Sequence, residues 1–241
     1  MTVGLYRDQG VVLRSIRLGE ADRIVSFITE GRGKVRAVAK GVRKTKSRFG
    51  ARLEPTVHVS LLLYEGRELD IVTQAEAIDH FRAIREDLDR LTRATQMLEA
   101  VDQVVQERHA NVALYQMLVG ALRALAARDA PLMVPAFFWK LLSLEGFHPL
   151  LDACAVCDAT DDLVAFDLGH GGVLCRTCGR GAVPLSPEAL DLIRRVLGGG
   201  LGPALNEPTG SATDEVAHLA TSALEHHLER RLRSVALLDR G

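Results

Sequence analysis

Aromatic side chains are scarce in this 241-residue chain, at 5% of positions with a single tryptophan. A surface built chiefly from stacked rings is therefore not the first expectation. Long apolar runs are missing as well. The longest, Pro131 to Trp139, is 9 residues, against the ~20 that a helix needs to cross a bilayer. The stretch from Met1 to Asp8 has none of the apolar character of a secretory leader. A soluble, cytoplasmic protein with no membrane partner is the expectation. No Gly-x4-Gly-Lys-Ser/Thr loop is present, and Gly198-Gly199-Gly200 follows a helical stretch instead of leading into one. Ser15, Ser26, Ser60 and Ser143 lack the Gly-x-Ser-x-Gly setting of a nucleophile elbow.

Acidic residues are absent from Gly31 to Leu53, and this gap carries more information. Within it lie nine cations: Arg32, Lys34, Arg36, Lys40, Arg43, Lys44, Lys46, Arg48 and Arg52. Ordinary surfaces intersperse both signs. The net charge of −1 hides this bias, because residues 1–80 sum to +4 and the remainder to −5. An unbroken cationic strip is what a phosphate backbone attracts. With few rings beside it, and Phe49 the only one inside the segment, binding driven by charge and tolerant of sequence is expected.

Hydrophobic periodicity organises the rest. Short runs at Val11–Leu13, Ile24–Ile28, Lys34–Lys40, Val57–Tyr64 and Glu68–Ala77 read as five strands, with period two clearest over Lys34–Lys40. Glu30-Gly31-Arg32-Gly33 is a tight hairpin turn. Five strands with one longer connection before the fourth suit an oligonucleotide-binding (OB) barrel, and an SH3-like barrel fits the count nearly as well. From about Asp79 the period becomes helical. Helices are expected from Ile84 to Val105, from Val112 to Arg128, and from Pro131 to Gly146. Ser186-Pro187-Glu188 starts another, with an N-cap hydroxyl and proline at the first helical position. Residues 198–212 read as a loop, and a last helix as spanning Thr213 to Leu237. The fold class is α+β: an OB-type barrel over 1–80, then an α-helical domain over 81–241 with an insertion at about 150–183.

That insertion holds every cysteine. Cys154 and Cys157, then 17 residues, then Cys175 and Cys178 form two C-x2-C knuckles. Two such knuckles aim four thiolates at one tetrahedral centre, the spacing of a structural zinc site. Disulfides are disfavoured in a reducing compartment. A redox dithiol needs only one knuckle beside a βαβ unit, and an iron–sulfur cluster is the remaining alternative. Four thiolates leave no open position for water, so the ion is not expected to catalyse. His170, between the knuckles, reads as a solvated loop residue, as do His226 and His227. Arg230, Arg231 and Arg233 complement the end of the last helix, and Phe137–Trp139 read as core.

The order of these features resembles the bacterial RecO family of recombination mediators. The matching stretches are Gly10–Arg14, Gly19–Asp22, Gly33–Arg43, Leu53-Glu54-Pro55, Lys140–Gly146, the four cysteines and Leu232-Arg233-Ser234. The resemblance implies an OB fold, a helical domain with a zinc finger, and a non-enzymatic role in recombinational repair. It implies binding of single- and double-stranded DNA and annealing of complementary strands. It also implies work with RecR to load RecA onto DNA coated by single-stranded-DNA-binding protein (SSB), whose acidic tail docks on the helical domain. An RNA-processing or ribosome-associated module built on the same barrel and ribbon is the alternative.

Overall fold

The computed structural model describes residues 4–47 and 49–236. Arg48 and the expected helix end at Leu237 lie outside them. The chain divides into two compact units, one running to Arg128 and the other from Asp129.

In the first unit, strands β1 (Leu5–Leu18), β2 (Asp22–Thr29), β3 (Gly33–Ala39), β4 (His58–Tyr64) and β5 (Asp70–Asp79) close a barrel in the order β1-β2-β3-β5-β4. That order, with β3 parallel to β5 at Ala37–Asp70 and Val38–Ile71, is the OB arrangement and decides against the SH3-like alternative. β1 serves two partners. Its first half pairs with β4 and its second with β2, around a bulge between Val12 and Arg14. Alternation sends Val25, Phe27, Val35, Ala37, Val59, Leu61, Leu63 and Val72 inward, all essentially without solvent contact. The long β3–β4 connection carries a 3₁₀ turn, Gly50–Leu53, and the barrel core also takes in Phe49 and Leu53.

The β2–β3 turn forms where expected. Gly33 has φ +67°, and a Cβ there would sit 1.9 Å from the His109 carbonyl oxygen. Only glycine combines that conformation with so close an approach. Helices α1 (Arg82–Arg85), α2 (Leu88–Val104) and α3 (Val112–Ala127) complete this unit. Asp87 and Asn111 cap α2 and α3, each accepting a backbone N–H at 3.0 Å. α2 packs on β1 and β2, and α3 on β1. The barrel therefore ends at Asp79, while the packing unit continues to Arg128.

The second unit holds α4 (Met133–Leu144), α5 (Pro187–Leu197), α6 (Leu201–Ala204), α7 (Ser211–Leu228) and α8 (Arg233–Ala236). Ser186 caps α5 as its sequence announces, accepting from the Ala189 N–H at 3.2 Å. Two expectations need correcting. The 198–212 loop contains the one-turn α6, and the last helix stops at Leu228, where Glu229 turns left-handed at φ +52°. The cysteine segment also holds more order than its composition suggests. Strands β6 (Leu163–Asp167), β7 (Gly172–Cys175) and β8 (Val183–Pro184) form a sheet in the order β7-β6-β8. Its buried Phe166 meets Trp139 of α4 edge-on at 5.8 Å.

Candidate metal centre and nucleic-acid interface

Each C-x2-C knuckle is a backbone turn that presents its two sulfurs to one side. The Asp158 N–H donates to the Cys154 carbonyl at 2.9 Å, and the Gly179 N–H to that of Cys175 at 2.8 Å. Between the knuckles the chain is stitched by Ala155 N–H to Val173 O and Val173 N–H to Leu150 O. The four Sγ atoms consequently lie within 4.8 Å of one another, with Cys157 and Cys175 at 3.7 Å. A tetrahedral ion holding sulfur at ~2.3 Å sets neighbouring sulfurs ~3.8 Å apart, whereas a disulfide needs ~2.05 Å. All four cysteines are free thiols, so the cluster fits a metal and not a pair of disulfides.

At Cys154 the local field favours thiolate, while the neighbouring sulfurs disfavour it at Cys157 and Cys178. The backbone N–H of Cys175, with those of Val156 and Cys157, draws the Cys154 thiol down to about 6. Hydrogen bonding with the Cys157 and Cys175 sulfurs pushes the Cys178 thiol up to about 12. Four sulfurs this close cannot all carry charge without a cation between them. His170 is not among them. It lies 2.8 Å from Asp167 through Nδ1 and is largely exposed. An Asp162–Arg176 clasp of two hydrogen bonds, at 2.8 and 2.9 Å, bridges the strand entry and the second knuckle.

The basic segment is resolved into two halves. Along β3, the cations are engaged. Lys34 turns inward, its side chain 11% exposed and its ammonium 2.8 Å from Asp102 of α2. Lys34 therefore leaves the strip, because a phosphate cannot reach it without breaking a buried pair. Arg32 lies over the Tyr6 ring at 3.7 Å and bridges Glu65 at 3.2 Å. Arg36 bridges Glu107 at 3.3 Å. Sequence reading missed these partners because Asp102 and Glu107 sit some 70 positions downstream and join β3 only through folding.

Beyond β3 the picture reverses. Lys40, Arg43, Lys44 and Lys46 are exposed on the connection that follows, as is Arg52 on the 3₁₀ turn. Among the described residues, Lys40, Lys44 and Lys46 have no carboxylate within ion-pair distance. The connection is nevertheless shaped. The Gly41 N–H donates to Asp22 at 2.7 Å, the Arg43 N–H to Ala21 O at 3.0 Å, and the Arg43 guanidinium to Glu20 O at 2.9 Å. These bonds hold the lysines beside the β1–β2 turn. Arg52 donates to Phe49 O and borders a cavity of about 380 Å³ with Thr73 and Gln74. Phe49 is 1% exposed, so its ring belongs to the core and cannot stack on a base.

Comparison with known proteins agrees along the chain. Residues 1–81 match the family model described as "Recombination protein O N terminal", and residues 85–236 match "Recombination protein O C terminal". A "DNA repair protein RecO" from Nocardioides sp. (strain ATCC BAA-499 / JS614) is 43% identical over 98% of this chain and 100% of its own length. Another of that name, from Frankia casuarinae, is 43% identical over 98% of this chain and 99% of its own.

Proposed function

We propose a mediator role for this chain, which belongs to the RecO family of DNA repair and recombination proteins. In this reading it is not an enzyme. It binds single- and double-stranded DNA, anneals complementary strands and, with RecR, helps load RecA onto single strands coated by SSB. The carrying observation is the exposed set Lys40, Arg43, Lys44 and Lys46, held in a shaped connection and, for the lysines, with no acid partner among the described residues. Two strands approaching each other repel through their phosphates. Cations that neutralise both lower that repulsion and raise the chance of base pairing. We place one zinc ion on Cys154, Cys157, Cys175 and Cys178, where it supplies structural order only, since four thiolates close its sphere.

The test is annealing of SSB-coated complementary strands, with and without RecR, using wild type and the Lys40→Glu/Lys44→Glu/Lys46→Glu variant. All three side chains are exposed, so the variant is expected to melt like wild type yet lose single-strand binding and annealing by at least tenfold. Unchanged annealing would show the lysines to be bystanders. A stronger response to RNA than to DNA in competition at fixed salt would move the protein to the RNA-processing alternative.

A further inference from the structure

An outward row on a small antiparallel barrel is ordinarily polar wherever nothing covers it. This barrel departs from that rule along one continuous line. The register pairs Ile16 with Ile24, Ile24 with Val38, Val38 with Ile71, Ile71 with Tyr64, and Tyr64 with Leu5. Residues directly opposite each other project to the same face. Their flanking neighbours Val25, Ala37, Val72 and Leu63 point into the core, so these six point out. They form an apolar belt that crosses every strand. Under α2 the outward apolar positions are sealed: Val11 and Ile28, on strands that α2 packs, have no solvent contact, whereas off the belt Leu18 and Ile78 are also exposed, at 39% and 46%. The belt is not sealed. Leu5 is 61% exposed, Ile16 44% and Tyr64 42%, while Ile24, Val38 and Ile71 are half-buried.

Single exposed apolar side chains need no explanation, but six apolar positions in register across a barrel, three exposed and three half-buried, do. Charge decides between occupants. Lys40 lies just past the end of β3, two residues after Val38, and Lys44 and Lys46 lie on the connection that follows; among the described residues none of the three has a carboxylate within ion-pair distance. An apolar protein partner would gain nothing from that cationic edge. A single strand has the matching pair of faces, with bases on one side and phosphates on the other. Strands spaced ~4.8 Å apart put Tyr64 two spacings from Val38, about the reach of two nucleotides.

We propose that single-stranded DNA lies across this belt, its bases against Val38, Ile71 and the Tyr64 ring and its phosphates toward Lys40, Lys44 and Lys46. The proposal rests on the DNA-binding reading above and deepens it by assigning the base-side contacts. Tyr64 is then the stacking residue that the scarcity of aromatics conceals. Duplex DNA, whose bases are already stacked, gains nothing from the belt and uses the lysines alone.

The experiment measures anisotropy of a labelled oligothymidylate and of an abasic strand of equal length and charge, with the full chain. Tyr64→Ala and Ile71→Ser are expected to weaken oligothymidylate binding about tenfold each with the salt slope unchanged. Neither should alter abasic-strand binding, and Tyr64→Phe should restore affinity. Lys44→Gln should weaken both ligands equally and flatten the slope. If the Lys44 change acts while Tyr64→Ala and Ile71→Ser leave oligothymidylate binding intact, the belt is not a base site, and the charge-based function survives. If Tyr64→Ala, Ile71→Ser and Lys44→Gln are all silent, the DNA reading itself fails. A loss in Tyr64→Ala that is equal for both ligands would also overturn the proposal.

Discussion

His58 on β4 is buried, with its Nε2 2.7 Å from the Tyr115 hydroxyl of α3. Burial, reinforced by the nearby Arg123 cation, lowers its pKa below the ordinary 6.5. The sign follows from linkage. In the folded state the imidazole stays neutral at a pH where the unfolded chain would protonate it, so the unfolded state binds more protons. Stability is fully present above ~6.5 and is lost as pH falls through the lowered folded value. Denaturant midpoints measured from pH 7 to pH 5 should therefore decline, and His58→Gln, which keeps a partner for Tyr115 but cannot titrate there, should flatten that decline. An unchanged slope would remove His58 as its source. Lys34 teaches the complementary lesson at this scale. Its charge was legible in the sequence, but its burial against Asp102 was not, because a cation's partner is a tertiary fact. Of the nine expected contact residues, the structure leaves five exposed and describes all but Arg48.

At the scale of elements, strands and helices were readable wherever periodicity ran long enough. The five barrel strands and α2, α3, α4 and α5 form at their expected places, but β1 runs from Leu5 to Leu18, well beyond the expected Val11–Leu13, and the helix expected from Ile84 to Val105 is split into α1 (Arg82–Arg85) and α2 (Leu88–Val104). The elements that were missed share a physical cause. β6, β7 and β8 span 5, 4 and 2 residues, too short for a period, and they gain order from the knuckles and from packing on Trp139. Likewise α7 ends where Glu229 adopts a left-handed conformation, which no glycine or proline announces. The cysteine spacing, in contrast, stated the sulfur cluster outright. Because the ribbon's strands are so short, the proposed zinc ion should hold them. Removing metal with a chelator, or substituting Cys157→Ser, is expected to open residues 150–183 to proteolysis and amide exchange, while the barrel amides stay protected. Protection of the ribbon unchanged after verified metal loss would show that the sheet and the Asp162–Arg176 clasp suffice without it.

At the scale of the whole molecule, a net charge of −1 provides no general attraction for DNA, so association must rest on a local cluster. This makes the salt dependence diagnostic. Engagement of all nine cations of the acid-free segment would give a logarithmic slope near −6 for single strands, at ~0.7 per contact, whereas the sequence alone suggests about five contacts and a slope near −3.5. Folding removes Lys34 and commits Arg32 and Arg36 to Glu65 and Glu107. The exposed Lys40, Arg43, Lys44, Lys46 and Arg52 remain, for a slope of about −3.5 and roughly a 100-fold loss of affinity between 50 and 200 mM salt. Titrations of oligothymidylate across that range separate the two values cleanly. A slope near −6 would mean that DNA pulls the β3 arginines off their acids, and binding would then carry the cost of breaking those pairs. A slope below −3.5 in magnitude would instead point to a larger share for the apolar belt, because base contacts release no counterions and hold their strength as salt rises.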